Sequence, residues 1–207
     1  DSAILTVDGH GENETCFFGE ANNGKIKKLD SINYPNSVGL FYGTFTDFLG
    51  FKPDSDEWKV MALSAHDKKN IYDKKIQKIY KFYNGKFEID LSYFDYYTFD
   101  RKKNFFSKKF ADLFGLPRKH KDPITLKHKQ IASAMQRHFE KIIIKLLKYL
   151  KKKSKSKNLI LGGGAAMNCV FNGRLDKIKF FKDSHISYAP DDSGVAVGAA
   201  LLAYHSF

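Results

Sequence analysis

Leu159-Ile160-Leu161-Gly162-Gly163-Gly164-Ala165-Ala166-Met167-Asn168 decides how this chain is read. An apolar run meets three glycines, and small residues then continue to Arg174. The run predicts a buried strand, and the segment behind it predicts a helix from about Ala165 to Arg174. Glycines at such a place let backbone amides approach a ligand that a Cβ would hold off. The start of the following helix adds free N–H groups and a partial positive charge. The bend suits a phosphate, a ribose or an adenine. It is equally well read as a tight strand-to-helix turn with no ligand, because a glycine motif alone is weakly specific.

The opening of the chain suits a nucleotide reading too. Ala3-Ile4-Leu5-Thr6-Val7 predicts a strand that ends in the turn Asp8-Gly9-His10-Gly11-Glu12. Cys16 to Glu20 and Lys25 to Leu29 flank Asn22-Asn23-Gly24, a strong hairpin signal. An acidic, glycine-bearing first turn can offer amides to a phosphate and a carboxylate to a metal or a water. The plain alternative is a hairpin turn with no ligand.

Further along, Ser37 to Leu49 carries apolar residues at helical spacing, with Gly50 as its C-cap. Glu57 to His66 predicts a short helix. Glu57 and Lys59 are too close in sequence to face each other on it, but both can point into a cleft at its N-terminus. The aromatic segment Ile79 to Phe99 turns at Asn84-Gly85 and predicts a hairpin whose rings cover a core or, as in single-strand binders, stack bases. Asn104 to Phe114 predicts a helix. A long helix follows from Thr125 to about Tyr149, with Ile131, Met135, Phe139, Ile142 and Ile143 as its apolar stripe. Lys151 to Lys157 reads as a linker. His120, His128 and His138 lack metal-binding spacing and read as surface or cap histidines. Asp192 and Ser193 are suited to cap a final helix, and Asp192 can also serve as a hard oxygen ligand.

Composition narrows the class. The 207 residues are enough for one sizeable domain or two lobes, and 43% hydrophobic content is that of a globular chain. The net charge of +12 comes mostly from lysine; the arginines are Arg101, Arg118, Arg137 and Arg174. Nucleic-acid readers lean on arginine for bidentate contacts, so the charge reads as a solvated surface before a polyanion patch. Cys16 and Cys169 are too few for a disulfide framework or a zinc site. With no stretch long enough to span a membrane and no signal-like segment, a reducing, cytoplasmic setting is expected.

Seven segments in fixed order carry a family resemblance: Asp8 to Glu12, Tyr34 to Gly43, Phe48 to Phe51, Glu57 to Met61, Leu161 to Cys169, Asn172 to Leu175, and Pro190 to Leu201. Through them the chain resembles the O-carbamoyltransferases of nodulation-factor and antibiotic biosynthesis. It resembles more distantly the threonylcarbamoyl-transfer enzymes of tRNA modification. The likeness covers nearly the whole chain and is loosest from Asp67 to Lys109. It implies an α/β, actin-like ATPase (RNase H-like) fold, with mixed sheets flanked by helices around a nucleotide cleft. It also implies ATP, a carbamoyl adenylate made from carbamoyl phosphate, a divalent metal of the iron type, and a hydroxyl-bearing small-molecule acceptor. By the same resemblance Asp8, Gly9, Gly11 and Glu12 face phosphate, and Gly162, Gly163, Gly164 and Asn168 hold the adenosine part. Asp192 is the metal-binding carboxylate, and Glu57 and Lys59 lie beside the phosphates as the catalytic pair.

The chain also departs from the family. The histidine pair that holds the metal belongs upstream of the first strand, and none of the seven histidines here has that motif. His66 and Asp67 replace Tyr-Gly, and Ala62 replaces a glycine. An adenylate-forming domain is expected beyond the last helix. The chain therefore reads as the C-terminal part of the transferase domain, incomplete at its N-terminus. Residues 1–34 would end the first lobe, and residues 35–207 would form the second lobe with the nucleotide-binding elements. Such a piece is expected to be inactive alone. Two other classes stay open: a non-catalytic nucleotide-binding or interaction module, and a basic nucleic-acid binder.

Overall fold

β1 (Ser2–Val7) runs through the middle of a five-stranded sheet in the computed structural model, which describes residues 1–100 and 103–206. Its residues Ala3, Leu5 and Val7 are fully buried, as an apolar, partly β-branched run requires. β2 (Glu14–Asn22) and β3 (Lys25–Asn33) continue it as an antiparallel meander. They turn at Asn23 and Gly24, both with positive φ, which is the backbone an Asn-Gly hairpin selects. α1 (Val38–Phe48) starts where Ser37 Oγ accepts the Leu40 N–H at 3.0 Å, and Gly50, with φ +71°, follows its end.

α2 (Glu57–Ser64) and the short α3 (Asp73–Gln77) lead into the hairpin β4 (Tyr80–Tyr83) and β5 (Lys86–Ile89). Phe87 is fully buried against Phe41 of α1, with Tyr80 beside it. The hairpin's inward rings therefore cover the core and are not free to stack bases. α4 (Lys108–Phe114) starts at Ser107, which caps it, and not at Asn104. Its Phe110 and Phe114 close on Phe45 and Phe48 of α1, with ring centroids 5.0 to 6.1 Å apart. Such edge-on arrangements suit ring quadrupoles.

α5 (Leu126–Lys153) is 28 residues long and runs into the segment expected as a linker, ending at Ser154. Thr125 and His128 form its capping box, so His128 is a cap histidine as expected. His138 is not at the surface: it is 1% exposed, and its Nδ1 lies 2.7 Å from the Tyr80 hydroxyl. Its position on the inward face of an amphipathic helix, one residue before Phe139, sets that burial. β6 (Asn158–Gly162) pairs parallel with β1 on one side and with β7 (Asp183–Ile186) on the other, giving the order β3-β2-β1-β6-β7.

Between β6 and β7 the expected continuous helix is broken. A 3-10 turn spans Gly164–Met167, and α6 (Cys169–Asn172) starts afresh with Asn168 as its cap. A 3-10 turn, Asp192–Gly194, runs into α7 (Val195–Ser206); Asp191 caps that turn, its Oδ1 accepting from Ser193 N–H, so Asp192 and Ser193 lie inside the turn. α7 is apolar yet exposed along its length. β1, which precedes Pro35, pairs directly with β6, which follows it. Among the described residues no helix is long and apolar enough to cross a membrane.

Candidate functional site

Three parallel strands, β1, β6 and β7, end at the same edge of the sheet. Each delivers one of the segments singled out in the sequence. β1 leads to Asp8, β6 to the Gly162–Gly164 bend, and β7 to Asp191 and Asp192. In sheets of this kind ligands bind beyond the carboxyl ends of the strands, because the loops there converge while helices cover both faces.

Hydrogen bonds tie the three loops together. Gly163 N–H donates to the Pro190 carbonyl at 2.7 Å, and Gly164 N–H donates to Asp8 Oδ1 at 2.5 Å. Ser37, the cap of α1, shares its hydroxyl between the carbonyls of Asp8 and Gly9 at 3.0 and 2.8 Å. The start of α1 therefore holds the first turn in place. Of the three glycines, Gly163 is the one the backbone demands. Its φ of +85° with ψ 164° is a glycine-only conformation, and a Cβ there would meet Val7 O at 2.4 Å and Asp8 Oδ2 at 2.7 Å. The close approach that glycine permits is thus made by Asp8 and β1. At Gly162 and Gly164 a Cβ would meet only ordinary contacts.

Asp8 is the electrostatic centre of this edge. Burial pushes its carboxyl above the ordinary aspartate value, the Gly164 amide opposes this, and the charges of Asp192 and Asp191 add to the rise. Asp192 is exposed and near enough to act on Asp8 through space. Gly9, Gly11 and Glu12 lie in the same turn. Gly11 packs against the Glu14 carbonyl, and Glu12 is exposed. The aspartates and the glycine bend therefore meet at one place.

Asn168 stands on the other side of the 3-10 turn, and its amide is engaged inward. Its Oδ1 accepts from Gln136 Nε2 and from Phe171 N–H, both at 2.9 Å, while its Nδ2 donates to Gln136 Oε1 at 2.9 Å. Gln136 in turn accepts from the Tyr42 hydroxyl at 3.1 Å and donates to Glu140 at 3.1 Å. Arg174 reaches in from the surface to pair with Glu140. Tyr42, Gln136, Glu140 and Asn168 are between 3% and 8% exposed, so the group is a buried polar network with its hydrogen bonds made. Gln136 and Glu140 belong to no motif. Their one trace in the sequence is a polar pair four residues apart beside the apolar stripe of α5.

Glu57 and Lys59 are engaged locally. Glu57 Oε1 accepts the Asp54 N–H at 2.9 Å, and burial raises its carboxyl above the ordinary value against the pull of nearby amides. Lys59 pairs with Asp56 at 2.8 Å and lies over the Trp58 ring. These contacts brace the start of α2 and run to residues 54–58, not to the glycine bend.

The residues present do not complete a metal site. Among the described residues no three His, Cys, Asp or Glu side chains converge as metal ligands. Asp8, Asp191 and Asp192 feel one another's charge without closing around a common point.

Comparison with known proteins gives the family. A family model described as the carbamoyltransferase N-terminus matches residues 1–201. The protein sll1178 of Synechocystis, itself uncharacterized, is 35% identical over all of this chain and 34% of its own length. Nodulation protein NolNO of Sinorhizobium fredii is 29% identical over 97% of this chain and 28% of its own length. Nodulation protein NolO of Bradyrhizobium diazoefficiens is 29% identical over 97% of this chain and 34% of its own length. The chain thus spans about a third of the length of these relatives. The match is to the family's N-terminal domain, which corrects the expectation of a C-terminal part. This chain belongs to the carbamoyltransferase family, as a representative of its N-terminal domain.

Proposed function

We propose that the full-length protein transfers a carbamoyl group from a carbamoyl adenylate, made from carbamoyl phosphate and ATP, to a hydroxyl of a sugar or other small-molecule acceptor. The observation that carries this reading is the meeting of Asp8, Gly163–Gly164 and Asp192 beyond the ends of three parallel strands. The strand order β3-β2-β1-β6-β7, with β2 antiparallel, supports an actin-like ATPase arrangement for the sheet.

In this reaction the acceptor oxygen attacks the carbonyl carbon, the bond from that carbon to the phosphate oxygen breaks, and AMP departs. The acceptor must give up a proton as it attacks. Asp8 is the carboxylate at the bend with a raised proton affinity, which suits it to take that proton. Its Oδ1 occupies the Gly164 N–H that a phosphate oxygen would otherwise accept from, so a bound nucleotide takes the place of this contact. Asp192 and Asp191 repel a bare polyphosphate, which therefore enters only with its charge neutralised. Gly9, Gly11 and Glu12 complete the phosphate-facing turn. Glu57 and Lys59 act at a distance by bracing α2. The divalent metal expected from the resemblance would need ligands beyond those brought together here, with Asp192 as this chain's contribution. We place the protein in the cytoplasm, with carbamoyl phosphate and the acceptor as its small-molecule partners and an adenylate-forming domain in the full-length chain.

The test is an assay of the full-length protein with carbamoyl phosphate, ATP and hydroxyl acceptors. AMP release that depends on acceptor supports the reading; ATP binding without such release contradicts it. That second result would favour a non-catalytic nucleotide-binding module, a reading supported by the internal pairing of the Gly163 and Gly164 amides. The nucleic-acid reading is weakened at the aromatic hairpin, since Phe87 and Tyr80 lie in the core, although Tyr83 is exposed.

A further inference from the structure

A buried polar network has no evident purpose in a phenylalanine-rich core unless it fixes something. Apolar residues of similar size would pack there at no desolvation cost, and a network left half paired would be worse than none. The network around Gln136 has one charged member inside, Glu140, and one charged member at the surface, Arg174. Their side chains are 6% and 56% exposed.

That charge sets the direction of every amide in the chain of contacts. Ionised Glu140 only accepts, so Gln136 must turn its Nε2 toward it. Gln136 Oε1 then faces Tyr42 Oη and Asn168 Nδ2. Asn168 in turn can present only Oδ1 to Gln136 Nε2 and to the Phe171 N–H that opens α6. Asn172 of α6 reaches back to the Ala166 carbonyl at 2.6 Å, inside the 3-10 turn that follows Gly163. The break between the glycine bend and α6 is therefore set from α5, across the core.

We propose that Gln136, directed by Glu140 and Arg174, is a positioning residue for the nucleotide site. It holds Asn168 in one amide orientation and so fixes the path of Gly164–Met167 beside Asp8. Asn168 supports the bend from behind. This inference rests on the reading of that bend as the nucleotide site.

The experiment uses the full-length protein with ATP as the probe, comparing wild type with Glu140→Gln, Arg174→Ala and Arg174→Lys. Glu140→Gln keeps the shape and removes the charge, so both amides lose their enforced direction. Calorimetric ATP affinity should fall about tenfold, with KM for ATP rising in step, while KM for the acceptor stays within about twofold. Arg174→Lys retains a cation and should restore most of the wild-type ATP affinity relative to Arg174→Ala. A Glu140→Gln protein with a lowered Tm but unchanged ATP affinity overturns the inference and reduces the network to a structural one. ATP binding that responds as stated, in a protein that never carbamoylates an acceptor, overturns the proposed reaction and leaves the inference standing. A wild-type protein that does not bind ATP overturns both.

Discussion

The two flanks of the Gly164–Met167 turn are built on opposite principles. On one flank Asp8, Asp191 and Asp192 crowd together: Asp8 accepts from the Gly164 amide and Asp191 from the amide and hydroxyl of Ser193, and among the described residues none of the three forms an ion pair. On the other flank Tyr42, Gln136, Glu140, Asn168 and Arg174 satisfy one another. The first is charged and unbalanced, which is costly unless something else completes it. The second is balanced and buried, which suits it to hold a shape. The difference separates a surface that meets a ligand from a scaffold that aims it.

The largest effect is expected where the two flanks join. Gly163→Ala places a Cβ against Val7 O and Asp8 Oδ2 in a backbone conformation reserved for glycine. The substitution should cost about 3 kcal/mol or more in chemical denaturation, strain and collision combined. A loss below about 1 kcal/mol would mean that the bend relaxes freely and does not link the flanks.

Acid should act on the charged flank and on the core face of α5 in opposite directions. His138, two residues beyond Gln136, is held by burial down to about 4. The unfolded chain then binds its proton first, so stability is complete above about pH 6.5 and falls as pH drops toward 4. The loss approaches about 3 kcal/mol, and His138→Phe should flatten it. Asp8, whose carboxyl is raised by burial, works the other way: folding favours its protonated form, so this contribution falls as pH rises through its titration. A urea-midpoint series against pH on His138→Phe and on Asp8→Asn separates the slopes.

Arg174→Ala leaves the Glu140 carboxylate buried beside Gln136. It should cost about 2 kcal/mol, less than for a fully enclosed pair because water reaches the arginine. Combining it with Glu140→Gln should recover most of that loss, and a purely additive double variant would contradict the pairing. Asp8→Asn keeps an acceptor for Gly164 N–H while removing a like charge. It should raise stability at neutral pH by less than about 1 kcal/mol while lowering turnover. A destabilised Asp8→Asn would show that the carboxylates are already balanced.

The scaffold was legible where local chemistry decides it. Asn23-Gly24 and Asn84-Gly85 demand positive φ, Ser37 caps α1, and the period of Ile131, Met135 and Phe139 buries one face of α5. The charged flank was legible in part, because Asp8 and the glycines each follow a recognisable strand and Asp192 opens the last helical segment. The balanced flank was not. Gln136 and Glu140 look like ordinary helix residues until Asn168, 32 positions away from Gln136, folds against them. The break after Met167 escaped for the same reason, since small residues favour a continuous helix and only a tertiary amide pair stops it. His138 was misplaced because a histidine gives no sign of which side of a helix stripe it joins.

The most direct measurement is a crystal structure of the full-length protein with a non-hydrolysable ATP analogue. The account predicts the nucleotide beyond the ends of β1, β6 and β7, with Gly164 N–H turned from Asp8 to a phosphate oxygen and the Gln136–Asn168 pair unchanged. Nucleotide bound elsewhere, with Asp8 still holding Gly164, would contradict it.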